Sequence, residues 1–206
     1  MLDNTIYNNN EDLKNVLIEL KQIIEEDAEI YLNYYSDQNK NEKIYADYLA
    51  QEFGKNYNLN IGIFRAGCIT GPNHSPAKLH GFLSYLVKSC ATDKIYNIIG
   101  YKGKQVRDNI HSNDLIECFW SFYKNPRRGE IYNIGGGKFS NCSILEALNY
   151  LEKKSNLKIK KEFKKENRVG DHVWYVSNMK KVKVHYPNWK QKYSTSQIID
   201  ELIFNN

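Results

Sequence analysis

Leu13, Val16, Leu17, Leu20, Ile23 and Ile24 recur at three- and four-residue spacing, with acidic residues between them. That periodicity predicts an amphipathic helix over residues 10–31. A polar connector follows at 32–38. A second helical pattern over 39–54 turns Ile44, Tyr45, Tyr48, Leu49 and Phe53 to one side. The short apolar run "LNIGIFRAG" (59–67) predicts a buried strand ending in glycine. "CITGPNHSPAK" predicts a loop from its Gly and Pro content. Residues 80–91 read as a helix and "KIYNII" (94–99) as a strand, with "GYKG" as the turn after it. "HSNDLIECFWSFYKN" predicts a helix capped by Ser112 or Asn113. "EIYNIGGG" is a strand with a glycine-rich exit, "SILEALNYLEKKS" a helix, "KIKKEF" a strand, and "TSQIIDELIFNN" a helix capped by Ser194 or Thr195. Strands and helices alternate from residue 39 onward, which predicts an α/β layered fold with some parallel pairing.

Composition narrows the function classes. The net charge of +5 is mild. The lysines of "EKKSNLKIKKEFKKEN" (152–167) are interleaved with glutamates and the run has no arginine before Arg168, so a solvated helix end and edge strand is expected. A nucleic-acid groove would want arginines and exposed aromatics, and none is expected; an anionic small molecule suits the charge better. No apolar run nears the ~20 residues of a membrane span. The first residues, "MLDNTIYNNNEDL", lack the charged-then-apolar order of an export signal, so a cytoplasmic protein is expected. Cys68, Cys90, Cys118 and Cys142 are far apart, without CxxC or metal-ligand spacing, and reduced thiols with no metal are expected. Trp120, Trp174 and Trp189 are expected in the core rather than as stacking platforms.

A dinucleotide site needs a glycine-rich turn between a strand and a helix, where backbone amides approach the pyrophosphate. Nothing in the first 60 residues has the G-x-G-x-x-G pattern. "IGGG" at 134–137 is the one dense glycine run. It reads as a tight turn, with a phosphate cradle as the alternative.

Three pieces in order, "FRAGCITGP" (64–72), "GKQVRDNIHSNDL" (103–115) and "RVGD" (168–171), resemble the extended short-chain dehydrogenase/reductases. Within these, the chain resembles the NAD-dependent nucleotide-sugar epimerase/dehydratase family, and "GKQVRDNIH" with "YNIGGG" is most similar to its CDP-tyvelose (CDP-paratose) 2-epimerase branch. The resemblance covers about residues 39–203. It implies a partial Rossmann-like parallel sheet with a small C-terminal α/β substrate-binding lobe. Residues 39–133 would be the remnant core, and 134–206, interleaved with 67–92, the lobe. Residues 1–38 would be a helical extension replacing most of the cofactor half.

Family members carry Tyr-x-x-x-Lys before the "FR" strand. Counting back from Arg65 places the lysine at Lys43 and the tyrosine at Asn39. A lysine ammonium favours the phenolate of such a tyrosine and so poises it for proton transfer. An asparagine has no proton to exchange in a usable range. Tyr34 and Tyr35, more than a helical turn away, are the remaining hydroxyls. The resemblance further implies NAD as cofactor, with Lys43 on the nicotinamide ribose, Ala66 offering backbone to the nicotinamide amide, and Cys68 where an asparagine often touches the sugar. It assigns Arg107 and Arg168 to the nucleotide-sugar diphosphate and Asp171 to the nucleotide ribose. Guanidinium forks suit phosphate oxygens.

Each residue also has a plainer role open to it. Arg107 could pair Asp108 at the surface, Arg168 and Asp171 could close a turn, Lys43 could pair Asp47 along its helix, and His111 and Asp114 could anchor the helix after them. The N-terminal half of the family's sheet has no counterpart in the sequence. A split-gene fragment, a decaying copy and a retained binding or assembly module all fit that. In each case a central parallel strand becomes an edge, so self-association or a partner chain supplying the missing strands is expected.

Overall fold

The computed structural model describes residues 40–74, 81–165 and 171–205, with side chains from residue 46 onward. The helix expected over 10–31 lies outside these residues. The chain divides into two compact units, 1–48 and 49–206, and the second carries the sheets and both cores. In order the elements are α1 (Lys40–Asn56), β1 (Gly62–Ala66), β2 (Cys68–Thr70), α2 (Phe82–Ala91), β3 (Tyr96–Ile99), a 3-10 turn (Tyr101–Gly103), β4 (Val106–His111), α3 (Ser112–Lys124) and β5 (Glu130–Ile134). Then come β6 (Asn141–Ser143), α4 (Ile144–Ser155), β7 (Lys161–Lys164), β8 (Trp174–Tyr175), α5 (Lys180–His185) and α6 (Thr195–Phe204).

The expected α/β alternation is present, and the pairing is mostly parallel. β1 pairs β5, β2 pairs β4, β3 pairs β7 and β8 pairs β4, all parallel; β6 pairs β4 antiparallel. β4 is therefore a hub, flanked by β2 at one end and by β6 and β8 at the other. Two apolar cores form beside it. One gathers Leu83, Leu86 and Val87 of α2, Ile98 of β3, Leu148 and Leu151 of α4, and Ile198 and Leu202 of α6. The other gathers Leu115 and Cys118 of α3, Tyr132 and Ile134 of β5, and Val182, Tyr186 and Trp189 in and after α5.

Several expectations are corrected. "CIT", read as loop, is β2, because Cys68, Ile69 and Thr70 pair with Asn109, Ile110 and His111. β4, β6, β8 and α5 were not legible as elements. The cap of α3 is His111, not Ser112 or Asn113: its imidazole Nδ1 accepts the Asn113 N–H at 3.1 Å. Tyr48, Leu49 and Phe53 of α1, expected inward, are exposed by 64%, 49% and 45%. Trp189 is buried, but Trp120 and Trp174 are exposed.

Candidate functional site

β4 runs through the centre of the sheet and presents successive side chains to opposite faces. Arg107 lies at its entry. One guanidinium nitrogen donates to the Val106 carbonyl at 2.7 Å, and the other forms an ion pair with Asp171. Both side chains keep only a sliver of exposure, so the fork is held flat and partly dry. The pairing with Asp108 considered from sequence does not form. Asp108 points to the other face, fully buried, where Oδ2 accepts N–H bonds from Gly137 and Ser177, each at 2.9 Å.

That carboxylate explains two glycines. A Cβ on Gly67 would come within 2.6 Å of Asp108 Oδ1, and one on Gly135 within 2.3 Å of Oδ2. The "FRAG" and "IGGG" pieces thus end their strands in glycine because a buried acid sits between them. Two of the three glycine amides of "IGGG" are spoken for as well: Gly135 N–H points to Met179 Sδ and Gly137 N–H to Asp108. The run is a structural turn and not a phosphate cradle.

Asp171 is held from a second direction. Gly100, Tyr101, Lys102 and Gly103 all have positive φ, between 45° and 77°. For Tyr101 and Lys102 that left-handed conformation costs roughly 1 kcal/mol or more each. It swings the Tyr101 hydroxyl to within 3.4 Å of the Asp171 carbonyl oxygen, to which it donates. Tyr101 also lines a cavity of about 420 Å³ with Lys102, Phe163, Lys164 and Lys165. Sequence reasoning missed Tyr101; its signal was a bulky residue between two glycines that need positive φ.

Cys68 stands opposite Asn109 in the β2–β4 pair, two residues along β4 from Arg107. Burial pushes its thiol up to about 11, the Asp108 charge raises it further and the Arg107 charge draws it down. Cys142, opposite Arg107 in β6, is pushed up to about 12 by burial first and by Glu146 and Cys68 after that. Both are thiols, not thiolates, at neutral pH. Ala66 closes β1 in register with Ile134, exposed, and Gly67 N–H donates to the Ile134 carbonyl at 2.8 Å. The structure thus brings Arg107, Asp171 and Cys68 together. Lys43 lies on α1, Asn39 and Arg168 outside the described residues.

His111 and Asp114 serve the fold. With Nδ1 accepting from Asn113, the His111 Nε2 donates to Glu201 of α6 at 2.5 Å, and the ring stacks on Tyr193 at 3.9 Å. The Asp114 carboxylate accepts the N–H bonds of Lys192 and Tyr193 at 3.0 and 3.1 Å. Among the described residues no group of three or more His, Cys, Asp or Glu could hold a metal ion, and no helix is long and apolar enough to cross a membrane.

Comparison with known proteins gives concordant results. The sequence model of the NAD dependent epimerase/dehydratase family matches residues 22–135. CDP-paratose 2-epimerase of Salmonella typhi is 25% identical over 167 residues, covering 76% of this chain and 48% of the relative. dTDP-D-glucose 4,6-dehydratase of Bos taurus is 27% identical over 162 residues, covering 73% and 42%. Among solved structures, UDP-glucuronic acid 4-epimerase from Bacillus cereus, in complex with UDP-glucuronic acid and NAD, superposes with a TM-score of 0.68 at 26% identity. That superposition covers 77% of this chain and 49% of the other. dTDP-glucose 4,6-dehydratase from Bacillus anthracis, in complex with NAD, gives 0.67 at 25% identity, covering 78% and 49%. The chain spans about half the length of these relatives.

Proposed function

The chain belongs to the NAD dependent epimerase/dehydratase family, and we propose that within it this chain is a nucleotide-sugar-binding homologue that does not complete the reaction by itself. The observation that carries this reading is Arg107. Its guanidinium is fixed by its own strand's carbonyl and by Asp171, whose carbonyl accepts from Tyr101, a residue that lines an open cavity bordered by three lysines. A fork held in place loses little rotamer freedom on gripping a diphosphate, and two of its five donors are all that the fold uses. Arg168 adds the second cation and Asp171 takes the ribose hydroxyls. The lysine-edged cavity gives room for the rest of an anionic nucleotide.

The reaction of descent is NAD-dependent: a sugar carbon is oxidised, inverted or subjected to elimination, and the hydride is returned. The one dense glycine run does not fit the dinucleotide: two of its amides, Gly135 and Gly137, are used inside the fold. By sequence, Asn39, outside the described residues, stands where proton transfer needs a tyrosine. Lys43, Ala66 and Cys68 are the positions left for NAD, and no hydride step is derived through them. Turnover therefore requires a glycine loop from a partner chain, since a second copy of this chain carries no G-x-G-x-x-G either. A non-catalytic binding or assembly module in the cytoplasm is the second reading, favoured by Asn39.

Calorimetric titration with UDP-sugar, CDP-sugar and NAD tests both. Nucleotide-sugar binding is expected, with no heat from NAD. Arg107→Ala and Arg168→Ala each weaken nucleotide-sugar binding by at least ~1.5 kcal/mol, the low end for a charge-assisted hydrogen bond. Unchanged affinity in both variants removes the site; tight NAD binding by the chain alone overturns the account of the cofactor.

A further inference from the structure

A second polar cluster lies between β5 and α5. Tyr132 of β5 is fully buried, and its hydroxyl is 3.0 Å from His185 Nδ1 and 3.4 Å from the Tyr186 hydroxyl. Tyr186 in turn donates to the Asn125 carbonyl at 3.1 Å. Each hydroxyl has one proton, so the directions follow from the far end of the chain of contacts. A carbonyl only accepts, so the Tyr186 proton is spent on Asn125. The Tyr186 oxygen then accepts, and Tyr132 donates to it. With its own proton used, the Tyr132 oxygen accepts from His185, and the proton of the neutral imidazole sits on Nδ1. The opposite choice, Tyr132 donating to Nδ1, sets two hydroxyl oxygens against each other with no hydrogen between them.

This leaves His185 Nε2 as a bare acceptor, with no hydrogen-bond partner among the described residues. Burial first, and the Arg127 charge after it, hold the imidazole below its ordinary value, so it is neutral at pH 7. His185 lines a cavity of about 380 Å³ with Asn133, Asn178, Lys180, Lys181 and Val184. Lys181 is paired with Glu130. Lys180 is exposed and has no acidic partner among the described residues. The Asn178 side-chain oxygen accepts the Lys180 N–H at 3.0 Å, which leaves its amide nitrogen to donate. Asn133 is exposed at the same cavity. The walls therefore offer one cation, two amide donors and one acceptor that requires a proton. An anion without a proton would set lone pair against lone pair at Nε2, and a neutral alcohol would leave the lysine unanswered.

We propose that this cavity binds hydrogen phosphate, an anion that brings its own proton. Its P–OH donates to His185 Nε2, while Lys180 and the amides of Asn133 and Asn178 hold the other oxygens. The site is separate from the nucleotide-sugar reading and does not rest on it. Phosphate monoesters fit less well, because above their second pKa near ~6 they have lost that proton. Sulfate, of the same shape and charge as the hydrogen phosphate dianion, carries no proton at neutral pH.

Nuclear magnetic resonance of the full, nitrogen-labelled chain, titrated at pH 7 with inorganic phosphate and with sulfate, tests this. Before any ligand is added, the imidazole nitrogen resonances should show His185 as the Nδ1–H tautomer. Phosphate should shift Nε2 saturably and bind at least ~10-fold more tightly than sulfate, since only one of the two can make the hydrogen bond. Lys180→Ala, at an exposed position, should weaken phosphate binding about 2–5-fold and leave the ratio of the two anions unchanged. Tyr186→Phe is the sharper arm. It leaves His185 Nδ1 as the acceptor for the Tyr132 proton, so the imidazole proton moves to Nε2 and the preference passes to sulfate. An Nε2–H tautomer in the wild-type chain overturns the proposal. So do equal affinities for the two anions, a phosphate titration that leaves His185 unmoved, and an unchanged preference in folded Tyr186→Phe. The wild-type measurements decide the matter even where that variant fails to fold.

Discussion

A buried thiol next to a carboxylate is slow to ionise, and Cys68 is such a thiol. Burial is the main cause, followed by the negative charge of Asp108, with Arg107 opposing; together they move it from 9.0 to about 11. Its thiolate population at pH 8 is therefore about a hundredfold below that of an ordinary thiol. Alkylation of native protein with iodoacetamide at pH 8, mapped by mass spectrometry, should label Cys68 slower by about that factor. The sign for stability follows from linkage. The folded chain holds the proton more tightly than the unfolded one, so stability is intact below pH 9 and falls as pH rises from 9 towards 11. Cys118 and Cys142, each pushed up to about 12 by burial, act in the same direction. Fast labelling of Cys68 in the native chain would contradict its placement. The sequence offered Cys68 only as a sugar contact by analogy. It could not show that Asp108, the neighbour of Arg107, turns inward and sits between Gly67 and Gly135.

The elements that could be read from the sequence are those whose local signals agree with their tertiary setting. α4 and α6 have periodic apolar faces, and each begins with a capping box: Ser143 with Glu146, and Ser194 with Gln197. β4 could not be read, because "VRDNIH" buries Asp108, Asn109 and His111 where the strand pattern expects apolar residues. A polar strand survives at the centre because each of these side chains makes at least one hydrogen bond there, although Oδ1 of Asp108 and of Asn109 has no partner among the described residues. α3 illustrates the same override, since β4 runs directly into it and the last strand residue, His111, becomes the cap. The capping box of α4 is testable. Glu146 Oε2 accepts the Ser143 N–H at 2.7 Å and its hydroxyl at 2.8 Å, while the hydroxyl accepts the Glu146 N–H at 3.1 Å. The Ser143 backbone bond, then its hydroxyl, holds the Glu146 carboxyl below its ordinary value. Ser143→Ala should cost about 1 kcal/mol and lower Tm by roughly 2–4 °C. Because the folded carboxyl is the stronger acid, its contribution is present above the ordinary carboxylate range and lost on acidification. The difference in Tm between wild type and variant should therefore narrow as pH falls below about 4.5, and a constant difference would count against the box.

At the scale of the molecule, two apolar cores are joined through a polar seam. Asp108 ties β4 to the exit of β5 and to the segment before α5. His111 ties the start of α3 to Glu201 and Tyr193. Asp114 accepts two backbone N–H bonds from the segment entering α6, and its own carbonyl accepts the Trp189 indole N–H at 2.9 Å. The alternation of strands and helices predicted layers, but a seam of this kind involves residues up to 90 positions apart and leaves no periodic trace. The seam makes a specific prediction. Asp114→Ala strips the acceptor from two part-buried backbone donors, so a loss of about 1–3 kcal/mol is expected. The loss also falls on the linkage between the cores rather than on either core, since the Asp114 side chain belongs to neither apolar cluster. In wild type, urea unfolding followed by far-ultraviolet circular dichroism and by tryptophan emission should coincide, because the seam couples the cores. In Asp114→Ala the emission of Trp189, buried in the core of β5 and α5, should change at lower urea than the helical signal, which α2, α4 and α6 of the other core contribute. Coincident transitions at an unchanged midpoint would mean that the two cores are coupled by packing alone, and that the buried carboxylates are incidental to it.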